Sequence, residues 1–263
     1  MSILVALILG IVQGLTEFLP VSSSGHLFLL NEIFGVEGDF LLLSIILHLA
    51  TLLELIIVFY KDIWQLIKHP FSKQACNLYI ATIPTVAIVF LFKFSLGDIF
   101  ENASLLPFCF MVTAVLLLIT YLLSNKKVED RSYENDFNGT VKWTSALGMG
   151  IAQGLATIPG ISRSGSTICT GLLLGESRKE SAKFSFLMSI PIIIASMLYE
   201  IIFTSSSQTL SQIGIVPLLV AFVSAFFVGI FSIKFMLKIV EKAKYYYFSI
   251  YLFILSIVSM FIV

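Results

Sequence analysis

The chain has 263 residues, 58% of them hydrophobic and only 12% charged, with a mean hydropathy of +0.99 and a formal net charge of zero. A soluble domain carries charge on roughly a quarter of its residues. That excludes a soluble globular protein, leaves a polytopic α-helical membrane protein, and gives no reason to expect a nucleic-acid partner.

Taken in chain order, the N-terminal "MSILVALILG" lacks a basic n-region and runs straight into a polar stretch, so it is not read as a cleaved signal peptide. The region 1–35 is apolar but broken by Gly, Pro and Ser around "QGLTEFLPVSSSGHL" at 13–27. Apolar runs at about 40–60, 77–92 and 105–123 then predict three membrane spans. A polar linker at about 124–142 follows. The region 143–176 is again apolar and again broken, around "IPGISRSGST", and runs at about 184–203, 214–233 and 245–263 predict three more spans. Broken backbone at membrane depth survives only where it is buried in protein or lines a wet cavity. The two broken regions therefore read as re-entrant helical hairpins, and the whole chain as one all-α membrane domain. "YYY" at 245–247 reads as an interfacial aromatic belt. Cys76, Cys109 and Cys169 have no paired spacing, so neither a metal cluster nor a disulfide framework is indicated.

The positive charges give an orientation. With both hairpins re-entrant, fourteen of the sixteen Lys and Arg residues fall on one side of the membrane. They are Lys61, Lys68 and Lys73; Lys126, Lys127, Arg131 and Lys142; Arg178, Lys179 and Lys183; and Lys234, Lys238, Lys242 and Lys244. Lys93 alone falls on the other side, and Arg163 lies inside the second hairpin. The basic side is the cytoplasmic one, which places both termini outside.

Residues 10–27, "GIVQGLTEFLPVSSSGHL", align without a gap on 150–167, "GIAQGLATIPGISRSGST", with identity at eight of eighteen positions. The offset is 140, and the spans follow it. Each half, about 1–123 and 143–263, is then one hairpin plus three spans. Three is odd, so the second half is inverted with respect to the first. Inverted repeats with discontinuous helices bring their breaks together near the midplane, and such a place is a binding site.

The polar residues sit at these breaks. Gln13 and Glu17 are four apart and share a helix face. Pro20 ends or kinks that helix. Ser22, Ser23, Ser24 and Gly25 can turn into a second half-helix with His26 in its first turn. Free N–H groups and hydroxyls at a helix start form an anion site. In the second tip Pro159 and Gly160 break the helix before Ser162, Arg163, Ser164, Gly165, Ser166 and Thr167. A guanidinium there suits bidentate binding of phosphate oxygens. Glu17 can hold a divalent cation together with substrate phosphates, and a Ser beside a His is a nucleophile–base candidate. An ionisable group inside a membrane is functional by default; against that, Glu17 and Arg163 could form a structural ion pair and His26 a structural hydrogen bond. Gly and Ser often serve only packing. His48 and Glu54, six apart and so not on one helix face, read as hydrogen-bonded or pore-facing polar residues.

"GLTEFLPVSSSGH" and "PGISRSGST" resemble the two signature motifs of the bacterial undecaprenyl-diphosphate phosphatases of the bacitracin-resistance type, and "FSFLMSIP" at 184–191 is similar to a further block of that family. The resemblance covers nearly the whole chain. It implies six spans, two re-entrant hairpins in inverted repeats, and a site opening on the outer face of the bacterial plasma (inner) membrane. It implies hydrolysis of undecaprenyl diphosphate to the monophosphate and inorganic phosphate, with Mg²⁺ or Ca²⁺ as cofactor. The family's acidic pair falls on Gln13 and Glu17, so one carboxylate is replaced by an amide and the metal leans on Glu17. Glu17, Ser23, His26 and Arg163 are the expected catalytic residues; Ser22, Ser24, Gly25, Ser162, Ser164 and Thr167 are expected to bind phosphate. Ser23 attacking with His26 as base, and His26 attacking or activating water, both stand at this point. A homodimer is compatible with the sequence. The alternative function is a prenyl-phosphate transporter or flippase, since inverted repeats are transporter architecture; the Glu17–Ser23–His26 set, which binding alone does not require, separates the two.

Overall fold

The computed structural model describes residues 1–36, 40–95, 103–129, 140–203 and 213–263. Arg131 and residues 130–139 of the linker lie outside them. The described residues form eleven α-helices: α1 (Ile3–Thr16), α2 (Ser23–Phe34), α3 (Phe40–Val58), α4 (Tyr60–Lys68), α5 (Lys73–Ser95), α6 (Leu106–Glu129), α7 (Trp143–Leu155), α8 (Arg163–Leu173), α9 (Arg178–Phe203), α10 (Ile215–Glu241) and α11 (Tyr246–Ser259). α6 runs several residues into the expected linker.

Both broken regions are helix–break–helix units. Proline clashes with the carbonyl four residues before it. Pro20 thus stops α1 at Thr16, and Pro159 stops α7 at Leu155. Pro84 and Pro191 sit inside unbroken helices, so proline alone does not make the break. The tips add residues that leave the helical region: Gly160 at φ +91° and Ser22 at φ +67°.

The 140-residue offset extends beyond the motif. α1, α2, α3, α5 and α6 recur as α7, α8, α9, α10 and α11. Packing recurs too: α1 lies along α10, and α7 lies along α5. A Cβ on Gly10 would stand 2.4 Å from the Ala221 carbonyl oxygen, and one on Gly150 would stand 2.2 Å from that of Ala81. Ala81 and Ala221 are themselves 140 apart. Each hairpin is therefore held against a helix of the opposite half by direct backbone contact.

The solvent of this fold is visible in its faces. Ile83, Phe227 and Phe231 are among many large apolar residues pointing outward, while Ser and Thr make up most of the buried polar residues. Ser249 and Ser256 of α11 donate to the carbonyls of Ala114 and Pro107 on α6, both at 2.7 Å. Lipid is as apolar as Leu, so helices associate there through small residues and hydrogen bonds. This is a multi-pass membrane protein.

The spans differ in detail from expectation. Among the described residues four helices are long and apolar enough to cross: Lys73–Phe92, Leu106–Ser124, Arg178–Ile202 and Ile215–Glu241. A fifth requires α3 and α4, bent by 78° at Phe59, to count as one span. The sixth run, 245–263, holds only the 14-residue α11, about 21 Å long at 1.5 Å per residue. Tyr245 does not belong to an aromatic belt; it is buried and pairs its hydroxyl with Ser124 Oγ.

Candidate active site

The two breaks meet. A Cβ on Gly25 would lie 3.1 Å from Gly160 Cα, and one on Gly165 would lie 3.2 Å from Pro20 Cβ. These contacts are again related by 140 residues. The Ser164 hydroxyl crosses from the second tip to donate to the Leu19 carbonyl at 2.8 Å.

Each tip opens its second helix with a Ser cap. Ser22 Oγ accepts the Gly25 N–H at 3.3 Å, and Ser162 Oγ accepts the Gly165 N–H at 3.0 Å. The cap hydroxyls also face Ser24 and Ser164, at 3.3 Å in both tips. Ser22 does this at φ +67°, a region that costs a non-glycine residue of order 1–3 kcal/mol. Capping and the tip contacts hold it there. α2 and α8 thus start at the meeting point, with their positive dipole ends and free N–H groups turned to it.

Their first residues, Ser23 and Arg163, converge on one carboxylate. Ser23 Oγ donates to Glu17 Oε2 at 2.6 Å, and Gln13 Nε2 donates to the same oxygen at 3.0 Å. Arg163 Nη2 is ion-paired with Glu17 Oε1. Glu17, at the C-terminus of α1, therefore joins a hydroxyl from the first tip to a guanidinium from the second. Its side chain is 4% exposed and that of Arg163 is 18% exposed.

His26 lies in the first turn of α2, as expected, and makes contacts of its own. Its Nδ1 lies 2.7 Å from the Ser22 carbonyl and its Nε2 lies 2.6 Å from the Tyr251 hydroxyl. The carbonyl can only accept, so Nδ1 carries the proton and Nε2 accepts from Tyr251. The expected Ser23–His26 hydrogen bond is absent among the described contacts, because Ser23 points to Glu17 and both imidazole nitrogens are engaged. Thr167 pairs with Ser185 at 2.6 Å and donates back to the Arg163 carbonyl at 2.9 Å. It braces the start of α8 from behind.

The structure adds residues that the sequence did not point out. Tyr251 of α11 stacks on His26 with ring centroids 5.7 Å apart; nothing marks it among nine Tyr residues. Thr113 of α6 accepts the Ser162 N–H at 3.1 Å. Ser185 and Met188 belong to "FSFLMSIP", and the Met188 carbonyl accepts Gln153 Nε2 at 3.3 Å. That block therefore supports the second tip. His48 is hydrogen-bonded to the Ser44 carbonyl at 2.9 Å, as a membrane histidine should be.

Among the described residues no three His, Cys, Asp or Glu side chains cluster closely enough to cage a metal. A hard cation with one or two carboxylates and substrate phosphates does not need such a cage. The donor set fits that case: Glu17 is here, and Gln13 Oε1 is a buried acceptor with no hydrogen-bond partner.

The family model described as "Bacitracin resistance protein BacA" matches residues 6–258. A protein of Carboxydothermus hydrogenoformans named undecaprenyl-diphosphatase is 41% identical over 253 residues, covering 96% of this chain and 94% of that one. Its namesakes in Halothermothrix orenii and Treponema denticola are each 38% identical; they cover 98% and 96% of this chain, and 96% and 94% of their own. Matches of this extent take in both tips and every helix that carries them, and the chain belongs to the bacitracin resistance protein BacA family.

Proposed function

We propose that the two tips form one active site, which hydrolyses undecaprenyl diphosphate to undecaprenyl phosphate and inorganic phosphate. The chain is an undecaprenyl-diphosphatase of the bacitracin-resistance family. The observation that carries the site assignment is Glu17, bonded at once to Ser23 of one tip and Arg163 of the other.

Six membrane passages with two re-entrant hairpins in inverted halves are the topology that the 140-residue recurrence supports. The termini and the mouth of the site face outward, on the charge bias. The prenyl tail stays in the bilayer and the diphosphate enters between the tips. Arg163, the Ser162–Ser164 pair, the Ser22–Ser24 pair and the N–H groups opening α2 and α8 receive its oxygens. Preorganised donors of this kind are the main source of rate in phosphoryl transfer.

Ser23 Oγ attacks the outer phosphorus and its proton passes to Glu17 Oε2, the acceptor it already faces. The anhydride P–O bond breaks and undecaprenyl phosphate leaves. Water then cleaves the phosphoserine, Glu17 returns the proton to Ser23 Oγ as the P–Oγ bond breaks, and inorganic phosphate is released. His26, held in one tautomer by Ser22 and Tyr251, is the group left to manage the water's proton. Glu17 and Gln13 would hold a Mg²⁺ or Ca²⁺ ion, whose chemistry is to neutralise charge on the transferring phosphoryl group.

The test is phosphate release from undecaprenyl diphosphate by the purified protein with Mg²⁺, Ca²⁺ or EDTA, beside Ser23→Ala. Cation-dependent release that falls steeply in Ser23→Ala supports the mechanism. Near-normal turnover of Ser23→Ala removes Ser23 as the nucleophile and leaves a water attack directed by His26.

A further inference from the structure

One buried carboxyl is not used above. Glu54 of α3 is 0% exposed, and neither of its oxygens has a hydrogen-bond partner. A buried carboxyl with no partner carries an uncompensated desolvation cost, so its position is a place to look for a ligand.

Its placement shows where that is. The Glu54 carboxyl fills the space that a side chain at Gly229 of α10 would take, with Oε2 1.8 Å from where that Cβ would stand. Gly229 also borders α1, its N–H lying 2.9 Å from a Cβ built on Gly14. Gly14 sits between Gln13 and Glu17. Glu54 thus approaches the last turn of α1, beside Gln13 and Glu17, through a gap made by a glycine.

The second hairpin lacks this arrangement. The positions 140 residues away from Glu54 and Gly229 are Ile194 and Val89. An apolar pair at the symmetry-related place is a carboxyl and a gap beside the hairpin that carries Glu17. The local charge is also unbalanced. Arg163 pairs with Glu17, and the N-terminal dipoles of α2 and α8 face the negative C-terminal end of α1, while no basic group among the described residues is bonded to Glu54. Beside them Gln13 Oε1 is a further acceptor without a donor. Surplus buried acceptors call for a cation.

We infer that Glu54 supplies the second carboxylate of a divalent-cation site with Glu17 and Gln13, replacing from α3 the charge that an amide at position 13 withholds. This rests on the phosphatase reading only for the cation's use, not for its binding.

The test is Mn²⁺ binding to the purified full-length protein, followed by electron paramagnetic resonance, with and without inorganic phosphate. Wild type is compared with Glu54→Gln and with Glu54→Gln combined with Gln13→Glu. Glu54→Gln is expected to weaken Mn²⁺ binding by about tenfold or more, since even a partner of a metal ligand costs that much. Adding Gln13→Glu is expected to restore it. Unchanged affinity in Glu54→Gln, no recovery in the double variant, or no binding by wild type overturns the inference. Thermal unfolding in EDTA checks that each variant is folded. If wild type releases phosphate while Glu54→Gln binds Mn²⁺ normally, the cation site falls and the phosphatase stands. If the binding pattern holds but wild type releases no phosphate, the reverse is true.

Discussion

The two tips share a frame and differ in chemistry. Both end their first helix four residues before a proline and cap the second with Ser. Both bring a glycine against the opposite tip. Yet Glu17 corresponds to Thr157, which merely donates back to the Gly154 carbonyl at 2.7 Å, and His26 corresponds to Ser166. Conversely Arg163 corresponds to Ser23. A repeated scaffold has thus been given a carboxylate and an imidazole on one side and a guanidinium on the other. Geometry comes from the symmetry, and reactivity from its violation.

Substitutions at matched positions probe that division. The largest effect is expected at the asymmetric charges. Glu17→Ala and Arg163→Ala should each lower kcat/KM for phosphate release by about 10²–10³, the usual loss on removing a preorganised charge-stabilising group. Equal losses in Thr157→Ala would break the comparison. In the scaffold the halves should behave alike. Gly10→Val and Gly150→Val both drive a side chain into a facing backbone, so each should destabilise the detergent-solubilised protein by at least about 1–3 kcal/mol, read as matching drops in Tm. A large drop in only one would mean that one hairpin is not held by its partner helix. Tyr251→Phe removes a single hydrogen bond to His26, worth about 1 kcal/mol, and should lower kcat/KM several-fold with little change in Tm. Smallest of all, Thr157→Ala should leave phosphate release within about twofold of wild type, since it loses one local bond to backbone.

Much of this could be read from residue order. The breaks follow from Pro20 and Pro159 together with the Ser and Gly residues beside them, the repeat from eight identities at one offset, and the meeting of the tips from inversion of the halves. What could not be read depends on side-chain direction across distant helices. Ser23 and His26 lie three apart, which suggests a dyad, but the start of α2 turns Ser23 toward Glu17 and leaves His26 to Tyr251, 225 residues away. Glu54 looks like an isolated polar residue in a span until Gly229 is set beside it. Nor does apolar composition at 245–263 show that α11 is only 14 residues long.

The central claim is that the two tips are one site joined through Glu17 and Arg163. A double-mutant cycle on kcat/KM for phosphate release, with Glu17→Gln, Arg163→Lys and the pair together, tests it most directly. One site predicts strong coupling: the double variant should lose less than the product of the single losses, by about tenfold, within the range of contacting charged residues. Losses that simply multiply would show that the carboxylate and the guanidinium act independently, and would contradict the account.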